Sequence, residues 1–210
     1  HLFMTNELVI IISVLMVLNF LFVFNFNKIS ILVNIFDNPN ERKKHTKPIA
    51  PLGGLILFIN ILCIYVLFKI LELDIAFLSI ILLSSLSLMF FLGLIDDIKN
   101  FFSNLKFLLF IFIIIVHLFL ENGYIIKSLH LDFIDYKINL NFYQGILFTL
   151  LCILLFVNAS NLYDGINLQS GLYFIFIFCY LIFKNPSLDF MKLCLIPLFF
   201  FLFLNFRNIC

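Results

Sequence analysis

Gly93-Leu94-Ile95-Asp96-Asp97-Ile98-Lys99-Asn100 closes an apolar run, residues 75–95, that contains no charged side chain. A bilayer crossing takes about 20 residues, so the run reads as a membrane span. Two adjacent carboxylates follow it at once. A charge at the bilayer centre costs about 2.5–3.5 kcal/mol, which places the pair at a membrane surface or in a hydrated cleft. Neighbouring carboxylates also repel each other unless a proton or a cation intervenes. A divalent ion shared with phosphate oxygens resolves this, because Mg²⁺ keeps several waters and takes one or two carboxylates. The simpler reading is a solvated Asp-Asp pair at a helix end, and this stretch alone leaves both open.

Composition agrees with the span. The chain has 210 residues, 64% hydrophobic and 12% charged, with a mean hydropathy of +1.18. Soluble domains carry about 45–50% apolar and about 25% charged residues, so this is an integral membrane protein. Phe is in excess at 31 residues and Trp is absent; the bias is a compositional one and marks no aromatic site. The net charge of +1 singles out no partner, and nothing points to nucleic acid. The five cysteines are scattered singly, without CxxC or Cys/His clusters, so neither a disulfide framework nor a zinc site is indicated. The chain begins with His1 and stops at Cys210, and both ends read as truncated. The first apolar run is too long for a signal-peptide core and is read as a retained span.

Hydropathy gives seven candidate spans, at 7–26, 54–71, 75–95, 105–120, 142–157, 168–183 and 188–206. The expected fold is all-α, a polytopic transmembrane helix bundle in one domain, residues 1–210. The loop 27–53 holds Lys28, Arg42, Lys43, Lys44 and Lys47, the densest positive cluster, and should be cytoplasmic. Alternating from there puts Asp96-Asp97 and residues 158–167 on the same inner face, and residues 121–141 outside. In that outer segment residues 128–142 alternate apolar and polar around Asp135-Tyr136, which predicts a small extracytoplasmic β-hairpin.

Two further segments could carry chemistry. The first inner loop runs from Asp37 to Gly54 and sets Arg42, Lys43, Lys44, His45 and Lys47 beside Pro48 and Pro51, ending in Gly53-Gly54. Glycines at a helix start let a phosphate approach the backbone, where N–H groups and the dipole favour an anion. Lys43 and Lys44 are equally explained as topology determinants. The other segment, residues 158–171, offers Asn158, Asn161, Asn167 and Gln169 with Asp164. Asn, Asp and Gly suit any turn, but four amides in twelve residues exceed what a turn needs and suit hydrogen bonding to a base, ribose or sugar. His117, alone in an apolar run, reads as a helix-packing hydrogen bonder.

Taken together these segments resemble the polyprenyl-phosphate N-acetylhexosamine-1-phosphate transferases, glycosyltransferase family 4. Arg42-Lys43-Lys44-His45 with Pro48 and Gly53-Gly54 is similar to that family's R-K-x-H-x-x-P…G-G loop. Gly93-Leu94-Ile95-Asp96-Asp97 is similar to its G-x-x-D-D, and residues 158–167 to its N-A-x-N-x-x-D-G loop. Asn167 stands where many members have Asp, and Ala50-Pro51 where Pro-Arg is common. The first loop is closer to the branch making O-antigen, teichoic and related glycans than to phospho-N-acetylmuramoyl-pentapeptide transferase.

The resemblance implies transfer of a sugar 1-phosphate from a UDP-N-acetyl-sugar to a polyprenyl phosphate at the cytoplasmic face of the bacterial inner membrane, with release of UMP. It implies Mg²⁺, with Mn²⁺ as the alternative ion, near Asp96 and Asp97, one of which would take the proton of the lipid phosphate. Asn158, Asn161, Asp164 and Asn167 would contact the nucleotide-sugar. Arg42, His45, Lys47, Gly53 and Gly54 would contact phosphate or shape the loop. The family's main magnesium ligand belongs to a later segment that would lie beyond Cys210, so the 210-residue chain is expected to be inactive by itself. A homodimer is compatible with this reading, and both a one-step and a covalent mechanism stay open. The rival class is a transporter or channel with Asp96-Asp97 as its ion site. Transport sites usually sit near the midplane, however, and these aspartates fall at a boundary.

Overall fold

Apolar runs of this length leave the backbone one economical solution in lipid, a helix that satisfies its own N–H and C=O groups. The computed structural model describes residues 6–33, 52–73, 78–99, 102–163 and 168–206, and within them the side chains of Lys99, Ser103 and residues 161–163 are not described. Seven α-helices are found among these residues: α1 (Asn6–Val33), α2 (Gly53–Ile70), α3 (Ile80–Lys99), α4 (Ser103–Leu120), α5 (Phe142–Tyr163), α6 (Gln169–Lys184) and α7 (Asp189–Phe206). Five of them, α1, α2, α3, α5 and α7, are long and apolar enough to cross a membrane, while α4 and α6 carry the shorter apolar stretches. The all-α membrane bundle is thus observed.

Three helices, α1, α3 and α5, outrun the apolar runs at their C-terminal ends. α1 continues to Val33, well past residue 26, and within it Asn25 and Ser30 donate to backbone carbonyls of their own helix (Leu21 O, 2.9 Å; Asn27 O, 2.8 Å). α3 continues past Ile95 to Lys99, and α5 past residue 157 to Tyr163. Hydropathy marks the lipid-immersed part of a helix, and the helices outlast it.

The chain gathers into two compact units, His1–Leu78 with Asp164–Cys210, and Ser79–Tyr163. In the first, α7 packs on α1, α2 and α6, and α1 on α2. Ile11, Leu15, Ile64, Phe68 and Leu193 form one buried cluster, and Phe26, Leu52, Ile56 and Leu204 another. Asn19 and Asn60, both fully buried, join α1 to α2 by two reciprocal amide hydrogen bonds of 2.7 and 3.2 Å. Each also donates to the carbonyl one turn back, Leu15 O and Ile56 O at 2.8 Å. This leaves their buried amides paired, as lipid requires.

In the second unit α3, α4 and α5 pack in sequence around Ile114, Leu118, Ile146 and Leu150. His117 Nδ1 lies 3.2 Å from Ser85 Oγ, whose hydroxyl donates to Ile81 O, so the ring N–H donates to the serine. The helix-packing role read for His117 is what the structure shows. Glu121, one turn on, has Oε2 3.9 Å from His117 Nε2. Tyr124, in a 3-10 turn at Asn122–Tyr124, stacks near the imidazole at 5.2 Å. Burial first, and the Glu121 carboxylate second, push the Tyr124 hydroxyl above its ordinary range.

Between α4 and α5 lies an antiparallel hairpin, β1 (Ser128–Leu131) and β2 (Tyr136–Asn139), with Leu129 opposite Ile138 and Leu131 opposite Tyr136. The expected hairpin is present, with its turn at 132–135 and Tyr136 already in β2. The reason is local: Asp135 takes a left-handed conformation (φ 47°), which Asp tolerates better than an aromatic residue does. The start of α5 is fixed by a reciprocal box, Asn141 N–H to Gln144 Oε1 at 3.0 Å and Gln144 N–H to Asn141 Oδ1 at 2.9 Å.

Candidate active site

Asp96 and Asp97 stand inside the last turn of α3 rather than beyond it. That position is electrostatically awkward. The C-terminal end of a helix carries partial negative charge and favours cations. Lys106, in the first turn of α4, supplies one, with Nζ 2.5 Å from Asp96 Oδ2. A lysine at a helix N-terminus is itself misplaced against the dipole, so the two residues offset each other's disadvantage. The Asp96 side chain is 20% exposed and that of Lys106 37%; pairs this wet contribute about 0–1 kcal/mol, so the contact aims the carboxylate more than it stabilises the fold.

Adjacent residues on a helix diverge by roughly 100°. Asp96 is half-buried against Lys106, whereas Asp97 is exposed. The pair that looks equivalent in sequence thus differs in exposure. Both are hard oxygen donors, a donor set that fits Mg²⁺ with its retained waters. Among the described residues no group of three His, Cys, Asp or Glu side chains converges. They therefore offer such an ion this pair, with substrate oxygens and water to complete the shell.

Two polar contacts fix α3 against α4: Ser85 with His117 and Asp96 with Lys106. They lie eleven residues apart on each helix, about three turns, and so obey one antiparallel register. The Phe119 and Phe142 rings, 5.7 Å apart, show that α5 runs back alongside α4. Within this unit the C-terminal end of α5 therefore returns to the end that holds Asp96 and Asp97. Asn158 is exposed there, and Asn161 follows three residues on in the same helix. The segment read as a loop from 158 is helical as far as Tyr163, since its amides sit at the end of a long apolar helix that carries them along.

Gly53 and Gly54 open α2 in the other unit, and the structure separates them too. A Cβ on Gly53 would meet Phe201 Cε2 at 2.3 Å, while one on Gly54 would meet nothing within 4 Å. Gly53 is a packing glycine for α7; Gly54 is the one with open space above the backbone. Leu52, the residue before them, makes no side-chain cap. Arg42, His45, Lys47, Asp164 and Asn167 lie outside the described residues.

Sequence reasoning did not single out Lys106. Its signal was available: a basic residue in the first turn of the next apolar helix, ten residues after Asp96, across a short connection.

A family model described as glycosyl transferase family 4 matches residues 78–209, well over half of the chain and inclusive of Asp96, Asp97, Lys106, Asn158 and Asn161. No curated protein and no solved structure matches the chain.

Proposed function

The chain belongs to glycosyl transferase family 4, and from that premise we propose that it transfers N-acetylhexosamine 1-phosphate from a UDP-sugar to polyprenyl phosphate. The reaction would run at the cytoplasmic face of a bacterial inner membrane and start a cell-envelope polysaccharide of the O-antigen or lipopolysaccharide kind. The observation that supports this best is the pair Asp96 and Asp97 at the end of a membrane-length helix, with Lys106 beside it. A lipid phosphate oxygen attacks the sugar-bearing phosphorus, the bond to the bridging oxygen breaks, and UMP departs.

Both substrates are anionic, so the work is positioning and charge neutralisation rather than covalent chemistry. Mg²⁺, or Mn²⁺, held by Asp97 and Asp96 would neutralise pyrophosphate charge. In this reading the exposed Asp97 takes the proton from the lipid phosphate. Asp96 is steadied by Lys106. Asn158, Asn161, Asp164 and Asn167 hydrogen-bond the nucleotide-sugar. Arg42, His45 and Lys47 contact phosphate oxygens, and Gly54, having open space, admits phosphate to the α2 N-terminus where Gly53 cannot.

The test uses the full-length gene product in membranes with undecaprenyl phosphate, Mg²⁺ and UDP-GlcNAc, following UMP release. Metal- and lipid-dependent release is expected, with Asp97→Asn slower by roughly 10²–10⁴-fold, the contribution typical of a positioned general base. A panel of other UDP-sugars, UDP-N-acetylmuramoyl-pentapeptide included, identifies the donor. Silence across the panel, or full activity in Asp97→Asn, overturns the reading.

A further inference from the structure

The hairpin between α4 and α5 is amphipathic in its register. Leu129 pairs with Ile138 and Leu131 with Tyr136, so these four share one face, while Ser128, His130, Lys137 and Asn139 share the other. The charges follow the same division. His130 Nδ1 is 2.6 Å from Asp132 Oδ1 and its Nε2 3.4 Å from Asp135 Oδ1, which gathers both turn aspartates onto the polar side with Lys137 across the ladder. The turn between them carries Phe133, 81% exposed, and Ile134, 57% exposed; Tyr136 on the apolar face is 58% exposed.

A two-stranded ribbon with both faces in water is marginally stable at best. This one is also tied to the start of a membrane-length helix. Leu140 N–H donates to Lys127 O at 2.9 Å and closes its base. Ile126 N–H donates to Thr149 Oγ1 of α5 at 2.9 Å, and a Cβ on Gly145 would meet Ile126 O at 2.8 Å, so the base lies directly on the first turns of α5. Around that base Phe119, Phe142 and Tyr143 are exposed at the helix ends, where aromatic side chains form interfacial belts. On the apolar ribbon face Tyr136 and Ile138 are exposed as well.

We propose that the hairpin lies on the bilayer, with Leu131, Phe133, Ile134 and Tyr136 in the headgroup–acyl boundary of the leaflet opposite the Asp96 end and its polar face toward water. The occupant of the apolar face is lipid. The proposal does not depend on the transferase reading.

The chain contains no tryptophan, so a single introduced one reports alone. Phe133→Trp, Tyr136→Trp and Lys137→Trp are each reconstituted in nanodiscs with and without brominated phosphatidylcholine, and titrated with iodide. The first two are expected to emit at shorter wavelength, to lose intensity in brominated lipid and to resist iodide, and Lys137→Trp is expected to do the reverse. Iodide quenching of Phe133→Trp and Tyr136→Trp without loss in brominated lipid would mean a ribbon standing in water, and would overturn the proposal. Shielding from both quenchers would mean that protein covers the face, a second copy or another segment of this chain, and would overturn it equally. Two apolar positions guard against misfolding of either variant.

Discussion

Asn19 and Asn60 show what a single polar side chain does in an apolar helix. Each offers its amide to the other, and neither has water to fall back on. Asn60→Leu strips Asn19 of its partner across α1 and α2, and should lower stability by about 0.6–1.7 kcal/mol, the range measured for interhelical hydrogen bonds in a membrane protein. The double variant Asn19→Leu/Asn60→Leu should lose less than the sum of the two single changes, because it leaves no buried amide unmatched. Unfolding in mixed micelles measures both. Lys106→Gln tests the other polar contact. It removes the cation beside Asp96 and leaves the carboxylates facing a helix end of their own sign, so the Mg²⁺ concentration for half-maximal UMP release should fall. A rise would show that Lys106 binds substrate phosphate instead. The Asp-Asp pair was legible as letters in the sequence. That Asp96 meets Lys106 was not, since that depends on where Lys106 arrives from the next helix.

Elements were legible as apolar runs, and their ends were not. Hydropathy sees lipid, while a helix stops where its last turn is no longer supported, and Ser30, Asp96 and Asn158 all lie in that gap between the two criteria. The glycine pair at the start of α2 likewise reads as one motif and acts as two residues. Gly53→Ala forces the Phe201 ring aside and should cost about 1–3 kcal/mol, the range for overpacking a tight contact. Gly54→Ala should leave stability within about 0.5 kcal/mol of the parent, as a surface change does, and should impair turnover if phosphate approaches there. Thermal unfolding monitored by size exclusion, beside UMP release, separates the two roles.

For the whole molecule, composition alone identified a membrane bundle, because no soluble fold hides so much apolar surface. It could not foresee two compact units, since the grouping depends on notches such as Gly171, where a Cβ would meet Leu202 Cδ1 at 2.9 Å, and on ring contacts such as Phe20 with Phe200. One expectation concerns topology within the Ser79–Tyr163 unit. α4 is about 27 Å long, enough to set Ile98 and Asn139 on opposite sides of a membrane. In a cysteine-free background, Ile98→Cys and Asn139→Cys should react with an impermeant maleimide from opposite faces of sealed vesicles. Labelling of both from one face would refute the assignment of α4 as a crossing.

The two ties between α3 and α4 also bear on how the protein is made. Because they share one register, a slip of a single turn, about 5.4 Å, breaks both together. It would part Ser85 from His117 and Asp96 from Lys106 at once. A newly inserted hairpin of these helices therefore has no half-correct docking in which to linger. Docking of the Asp96 end is proofread by a serine and a histidine three turns away.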